Sequence, residues 1–352
     1  MPTSTVKLAP THIRRADLDK ALKKASENHL GTFAERLYTT DEKLLNLYQE
    51  AANDLYERLE YMRKKAKDRN YAIGKMRTYR NEVTAVLAPL RNRISSLVNS
   101  NMKGAIKDGL RFPAAAIEQA ISDTGAILSG YVKVPIAEDS RLWSLLNQRA
   151  FESLQTNPLD GIPLSKRIWK DIDNLNNQVI RGISNGITRG ESGQNLSLEI
   201  RNLLINPEGL DVRKSAAMKG LRTKARNATD DATRRRLFAR AAEIENSLQK
   251  PGTGVYRSAY KNSLRVTRTE LTRGFHEGVK AFNKSKAWIS GDQWNLSSRH
   301  PCCDICDTYA KDDHGHGGPG IYPAGEAPNL PHPHCLCYIT SVMNWDMILK
   351  EQ

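Results

Sequence analysis

No cysteine occurs before position 302 in this chain of 352 residues; the five present are Cys302, Cys303, Cys306, Cys335 and Cys337. A disulfide scaffold spreads its cysteines through a small secreted chain, so this clustering favours a metal site over a disulfide framework. Aromatic residues make up only 7%, which suits long helices better than a sandwich or barrel. Apolar runs such as Ala85–Leu90 fall far short of the ~20 residues a membrane-crossing helix needs, and no membrane partner is expected. The opening stretch MPTSTVKLAPTHIRRADLDK has no apolar core of the kind a secretory signal carries. The expectation is a protein made and held in the cytosol or carried inside an assembly. No repeat of fixed period is present.

Hydrophobic residues, at 39%, are sufficient for real cores, and the length admits one large domain or two to three smaller ones. The net charge is +14, and its excess sits in two stretches, 63–111 and 213–286, while 287–352 is net acidic. Residues 213–240 hold ten Lys and Arg against two Asp, including Arg234, Arg235 and Arg236. One such stretch can be a solvated helix face. Two favour a polyanion partner, of which DNA or RNA is the usual one.

Periodicity predicts a mainly α fold. Thr39-Thr40-Asp41-Glu42 has capping-box spacing, followed by Leu44, Tyr48, Ala52, Leu55, Leu59 and Met62 at helical intervals. Pro89 and Pro113 are expected to interrupt or delimit helices. A helix is predicted from about Glu138 to Leu154, and Asn157–Pro163 reads as a turn-rich boundary. Ile168, Ile172, Leu175, Val179, Ile183 and Ile187 form one apolar stripe, with Gly182, Gly186 and Gly190 on the neighbouring face. A further helix begins near Tyr256 and carries Leu264, Leu271, Phe275, Val279 and Phe282. After Lys286, Trp288, Ile289 and Trp294 suggest strands, as does Tyr338–Val342. The predicted regions are 1–157, helical; 158–286, helical with a basic insertion at 213–250; and 287–352, a small α+β module with short strands and a Cys/His knuckle.

The knuckle follows from spacing. Cys303 and Cys306 form a C-x2-C pair, and His332-Pro-His-Cys335 with Cys337 follows. A C-x2-C turn presents two thiolates, and an H-x2-C turn adds an imidazole and a third thiolate, completing a tetrahedral set. The intervening loop is rich in Gly and Pro and builds little core, so a metal is a sensible staple. Cys303, Cys306, His332 and Cys335 are the expected ligands, with Cys337 or His334 as alternates, and zinc is the default ion. Cys302 is expected to point away. The competing reading is buried cysteines or disulfides such as Cys303–Cys335.

Two stretches together resemble a known family. Leu264-Arg-Val-Thr-Arg-Thr-Glu270 and its continuation to Gly278 are similar to the "R-T-E" helix of the Mu F-like head morphogenesis proteins of tailed phages. There the helix precedes a tryptophan-bearing strand, C-x2-C, a glycine-bearing loop and an H-P-x-C-x-C ending. Here the series is Trp294, Cys303 and Cys306, Gly320–Pro323, then His332-Pro-His-Cys335-Leu-Cys337. The resemblance covers about 160–342 and omits the N-terminal 150 residues. It departs at Leu336, where the family usually has arginine, and in the basic insertion.

The resemblance implies a structural minor capsid protein rather than an enzyme. Such a protein sits inside the capsid near the portal, assembles in the host cytoplasm, and meets the portal, major capsid or scaffolding proteins and the packaged double-stranded DNA. Sequence-independent DNA contacts are expected from Arg222, Lys224, Arg226, Arg234, Arg235 and Arg236. Arg268, Thr269, Glu270 and Trp294 are expected to be structural. Glu270 with Arg273, and Arg273 with Glu277, have the spacing of ordinary surface pairs; alternatively Arg268 or Glu270 is buried and fixes the helix against the knuckle. Rival readings are a zinc-dependent HNH-type nuclease using Asp313, His314, Asn329 and His332, a toxin-like transferase, and a host nucleic-acid-binding zinc-knuckle protein.

Overall fold

The computed structural model describes residues 13–65, 76–126, 141–158, 161–189, 200, 203–204, 220–228, 230–249, 259–298, 300, 305–313 and 315–349. The chain is mainly helical and carries a small antiparallel sheet toward its C-terminus. The helices are α1 (Arg15–Lys65), α2 (Met76–Thr124), α3 (Arg141–Thr156), α4 (Leu164–Arg189), α5 (Asp231–Gln249), α6 (Ala259–Lys284) and α7 (Ile305–Lys311). The strands are β1 (Ile289–Asn295), β2 (Ile321–Pro323) and β3 (Tyr338–Met343), followed by a 3-10 turn at Trp345–Met347. No helix among the described residues is long and apolar enough to cross a membrane.

The chain forms two compact units, each assembled from separated segments. Unit 1 comprises Met1–Leu37, Asn101–Asn157 and Thr269–Gln352; unit 2 comprises Tyr38–Ser100 and Pro158–Arg268.

Unit 2 is built on the apolar stripes that the sequence displays. Leu44, Tyr48, Ala52, Leu55 and Leu59 of α1 are buried, as are Ile168, Ile172, Leu175, Val179 and Ile183 of α4. Both sets join one core with Val83, Leu87, Leu90 and Ile94 of α2. Each fully buried side chain of this size contributes about 1.5–3 kcal/mol, which makes the stripes, and not helix propensity, the main source of helical order. The Tyr48 hydroxyl meets the Ser263 hydroxyl at 2.6 Å, giving the one polar atom of this buried ring a partner. The Arg91 guanidinium lies 4.9 Å over the Trp169 ring. Gly182 and Gly186 are buried on α4, while Gly190 and the side chain of Ile187 lie outside the described residues.

Two local expectations are corrected. Thr39–Glu42 lies in the middle of α1, which begins at Arg15. Thr40 is buried and Asp41 accepts the Arg268 guanidinium at 2.9 Å, so these side chains serve packing and pairing, not a helix start. Pro89 and Pro113 both lie inside α2. The buried neighbours Val86, Leu87 and Leu90 around the first, and Phe112, Ala114 and Ile117 around the second, hold the helix through the missing backbone bonds.

Unit 1 centres on α6. Phe275 stacks on Phe33 at 4.4 Å and meets Phe112 edge-on at 5.3 Å. The glycines Gly109, Gly274 and Gly278 let α2 and α6 touch backbone to backbone. A Cβ on Gly109 would fall 2.0 Å from the Phe275 carbonyl oxygen, and one on Gly278 would fall 2.3 Å from that of Ile106. Neither obstacle is a flexible side chain, so neither can move aside. Beside them Arg36 covers Gly104 and pairs with the buried Asp108, Nη2 to Oδ1 at 3.1 Å.

The sheet order is β2-β1-β3, all antiparallel, with Trp294 opposite Ile339 and Asp292 opposite both Tyr322 and Ser341. Asp292 is fully buried and accepts hydrogen bonds from Asn283 Nδ2 at 2.7 Å and from the backbone N–H groups of Gly325 and Ala327 at 3.0 and 3.2 Å. Burial pushes its carboxyl pKa upward, opposed by these donors. It thereby ties α6, β1 and the loop after β2 together.

Gly278→Ala is expected to lower unfolding stability by about 2–3 kcal/mol, the upper range for overpacking against a fixed obstacle. Gly31→Ala, in open space on α1, is expected to be neutral or stabilising by up to ~1 kcal/mol. Urea unfolding of both variants checks the contrast.

Candidate metal centre

One helix face supports the knuckle. Thr269 Oγ1 of α6 accepts the backbone N–H of His334 at 3.2 Å, and His334 sits at φ 59°, a left-handed conformation that is uncommon outside glycine. This bond holds the turn between His332 and Cys335. Next along α6, Glu270 and Arg273 form a pair that is 2% and 6% exposed, with Nη1 at 3.1 and 2.9 Å from the two carboxylate oxygens. Arg273 Nη2 also donates to the Asn157 carbonyl. The surface reading of this pair is therefore corrected: it is buried, and Glu277 instead pairs with Lys280 and accepts the Ser153 hydroxyl. Arg268 belongs to unit 2, where it pairs with Asp41.

His276 follows on α6, its Nε2 2.9 Å from the Cys337 carbonyl oxygen. Burial drives its pKa down to about 3, so the ring is neutral and Nε2–H is the donor. Trp294 is buried between rings, edge-on to His276 at 5.5 Å and to Tyr309 at 5.3 Å. Together these residues form a floor beneath the cysteines.

The donors converge above it. Cys306, in the first turn of α7, has its Sγ 3.3 Å from His332 Nε2 and 3.5 Å from Cys335 Sγ. A tetrahedral zinc-type site demands edges of about 3.5 Å between nitrogen and sulfur and about 3.8 Å between sulfurs. The observed spacings are of that size. His332 Nδ1 lies 3.0 Å from the Pro333 carbonyl oxygen, which places the ring proton there and leaves the Nε2 lone pair facing the sulfurs. A second cluster shares Cys306 and adds Cys337 and His300. His334 belongs to neither cluster, and Cys302 and Cys303 lie outside the described residues.

The electrostatics are those of crowded thiols. Cys337 is pulled down to about 6, chiefly by the hydrogen bond from the Cys335 thiol, while Cys335 is pushed up by the same neighbour and by burial. One thiolate forms readily and the next is opposed. A soft dication removes that opposition, which is the chemistry of a closed thiolate and imidazole site. Cys306, His332 and Cys335 are three of the four ligands the sequence proposes, and all are poised to hold an ion. An ion there would cross-link α7 to the turn that precedes β3. Cys337 is 1% exposed and Cys306 fully buried, so the sulfurs are shielded from solvent and face one another.

Sequence reasoning missed His276 and His300. Burial alone identifies the first. The second had a signal: it stands three residues before Cys303, beside the C-x2-C turn.

The basic residues lie in unit 2. Lys224 and Arg226 are exposed and Arg222 half-buried on the helical residues 220–226; Arg235 and Arg236 are exposed on α5. Arg234 is half-buried and its Nη2 donates to the Ala228 carbonyl at 3.0 Å. Asp230 caps α5, its Oδ1 accepting the Thr233 N–H at 2.7 Å.

No family model, curated protein or solved structure matches this chain.

Glu270→Ala leaves the Arg273 charge buried without its carboxylate and is expected to cost about 3–5 kcal/mol of stability. The double variant Glu270→Leu with Arg273→Met is expected to recover most of that loss. Denaturant unfolding of the two proteins measures the difference.

Proposed function

We propose that this chain is a minor capsid, head morphogenesis protein of a tailed bacteriophage. Its role is structural, near the portal inside the head and in contact with packaged DNA, and its Cys/His cluster holds a structural zinc. The observation that carries the reading is the joint packing of the two stretches that resemble the Mu F-like family. The helix of Arg268, Thr269 and Glu270 lies under the knuckle through Thr269–His334 and His276–Cys337, with Trp294 buried beside them. These are the elements the resemblance puts in series, and here they form one packed module.

A clasp, and not a nuclease, is favoured by what the candidate nuclease residues do. Asp313 accepts the Gly315 N–H at 2.8 Å, Asn329 accepts Lys280 Nζ at 3.3 Å, and His332 faces Cys306. His314 lies outside the described residues. The exposed cations Lys224, Arg226, Arg235 and Arg236 favour a polyanion contact without base reading.

The direct test is co-purification: the protein is expected in portal-containing particles, and its absence from purified heads would sink the capsid reading. Replacing Arg222, Lys224, Arg226, Arg234, Arg235 and Arg236 with Gln is expected to weaken duplex binding at low salt at least tenfold. The slope of log affinity against log salt should also flatten, by up to ~0.9 for each phosphate no longer neutralised. Unchanged affinity at low salt rules out this DNA surface.

A further inference from the structure

We infer that His300 is a metal ligand through Nδ1, in a set with Cys306 and Cys337 and held in place by Asp307; the inference rests on the zinc reading above and takes this ligand from outside the C-x2-C and H-x2-C residues. His300 Nδ1 lies 3.6 Å from Cys337 Sγ, close to the nitrogen-to-sulfur edge of about 3.5 Å that a zinc tetrahedron requires. Nδ1 of His300 and the sulfurs of Cys306 and Cys337 lie within 4.8 Å of one another, so all three can contact one ion.

The other ring nitrogen fixes the tautomer. His300 Nε2 stands 2.8 Å from Asp307 Oδ2, and Asp307 Oδ1 accepts Lys311 Nζ at 2.6 Å. The carboxylate takes the ring proton at Nε2, which leaves the Nδ1 lone pair directed at the sulfurs. A carboxylate, histidine and metal in line is the arrangement by which proteins orient metal-binding imidazoles and raise their basicity. Asp307 is the residue after Cys306 in α7, so the same short helix supplies a thiolate and the orienting carboxylate. The His300 side chain is only 7% exposed, and its backbone N–H is tied to the Ser297 carbonyl at 3.0 Å. The ring is built in, not draped across the surface.

The same three groups could be read as a thiol nucleophile, its base and an orienting acid. Cys337 counts against that reading, because it is 1% exposed and its sulfur lies among the other donors. A buried thiol, a tautomer-fixed imidazole and a shared second thiolate are what a closed metal site needs.

The test uses the full chain loaded with Co2+ in place of Zn2+, read by its visible d–d bands, its thiolate-to-cobalt charge-transfer absorption, and affinity measured against a chromogenic chelator. His300→Ala is expected to weaken binding at least about 100-fold and to shift the d–d bands, and Asp307→Asn to weaken it about 10–100-fold. His300→Cys is expected to retain Co2+ with stronger charge-transfer absorption, since position 300 then adds a thiolate. That gain is not open to a residue outside the coordination sphere, and it keeps the test decisive if the alanine variant does not fold. Unchanged spectrum and affinity in His300→Ala, or no charge-transfer gain in His300→Cys, overturns the inference while leaving the zinc site standing. A wild-type chain that takes up neither Co2+ nor Zn2+ overturns both.

Discussion

Cys306, Cys335 and Cys337 bring three thiols into one buried place beside two imidazoles, and this crowding constrains everything near it. Buried thiols are inert when neutral, and a buried thiolate is costly unless something cationic or a hydrogen-bond donor faces it. Two lysines of the flanking helices are engaged elsewhere: Lys280 pairs with Glu277, and Lys311 with Asp307. Cys337 is faced instead by the thiols of Cys335 and Cys306 and by the Ser297 backbone. One thiolate at Cys337 can be accommodated by its neighbours, whereas a full set of deprotonated sulfurs requires a dication. The loop between α7 and β3 is rich in glycine and contributes few large apolar side chains, so the donor cluster carries an unusual share of what orders it.

Helix α6 is the scaffold on which that cluster stands, and its composition reflects three incompatible demands met on different faces. Gly274 and Gly278 admit the backbone of α2, which a methyl group at Gly278 would displace. Thr269, Glu270 and Arg273 place hydroxyl and charge in the interior, where only complete pairing makes them tolerable. Phe275, Val279 and Phe282 supply the apolar burial that offsets the entropy of ordering such a helix. The Thr269 hydroxyl and the His276 ring then reach the turn and strand that carry the cysteines. A change on any one face of α6 therefore bears on the Cys/His cluster without altering its members.

The helical stripes of α1, α4 and α6 were legible in the residues alone. They lie in their cores because a period near 3.6 admits one buried face, and Ile168 to Ile183 follow it without interruption. The cysteine cluster was legible because spacing within a turn is a local property. What failed was local punctuation overridden by packing. Thr39 to Glu42 has the letters of a helix start, yet α1 continues past it in both directions, and α2 runs through two prolines. What was missed required distance in sequence to become proximity in space. His300 gains meaning only when Asp307 and Cys337 flank it, and Gly109 only when Phe275 presents its carbonyl. The strand β2, three residues long, is defined by pairing with β1 and has no signal of its own.

Charge separates the two chemistries along the chain. The segment 287–352 that holds the donors is net acidic, so it concentrates cations and repels phosphate; the excess of Lys and Arg in 213–286 does the reverse. Cys306, Cys335 and Cys337 are buried within that acidic segment, while Lys224, Arg226, Arg235 and Arg236 are exposed in the basic one. Those side chains carry no aromatic neighbours along the helix apart from the half-exposed Phe238, so stacking on unpaired bases is a poor match and contact with duplex phosphates a better one. That division along the sequence, thiol and imidazole groups in an acidic segment and Lys and Arg in a basic one, supports the structural reading proposed above.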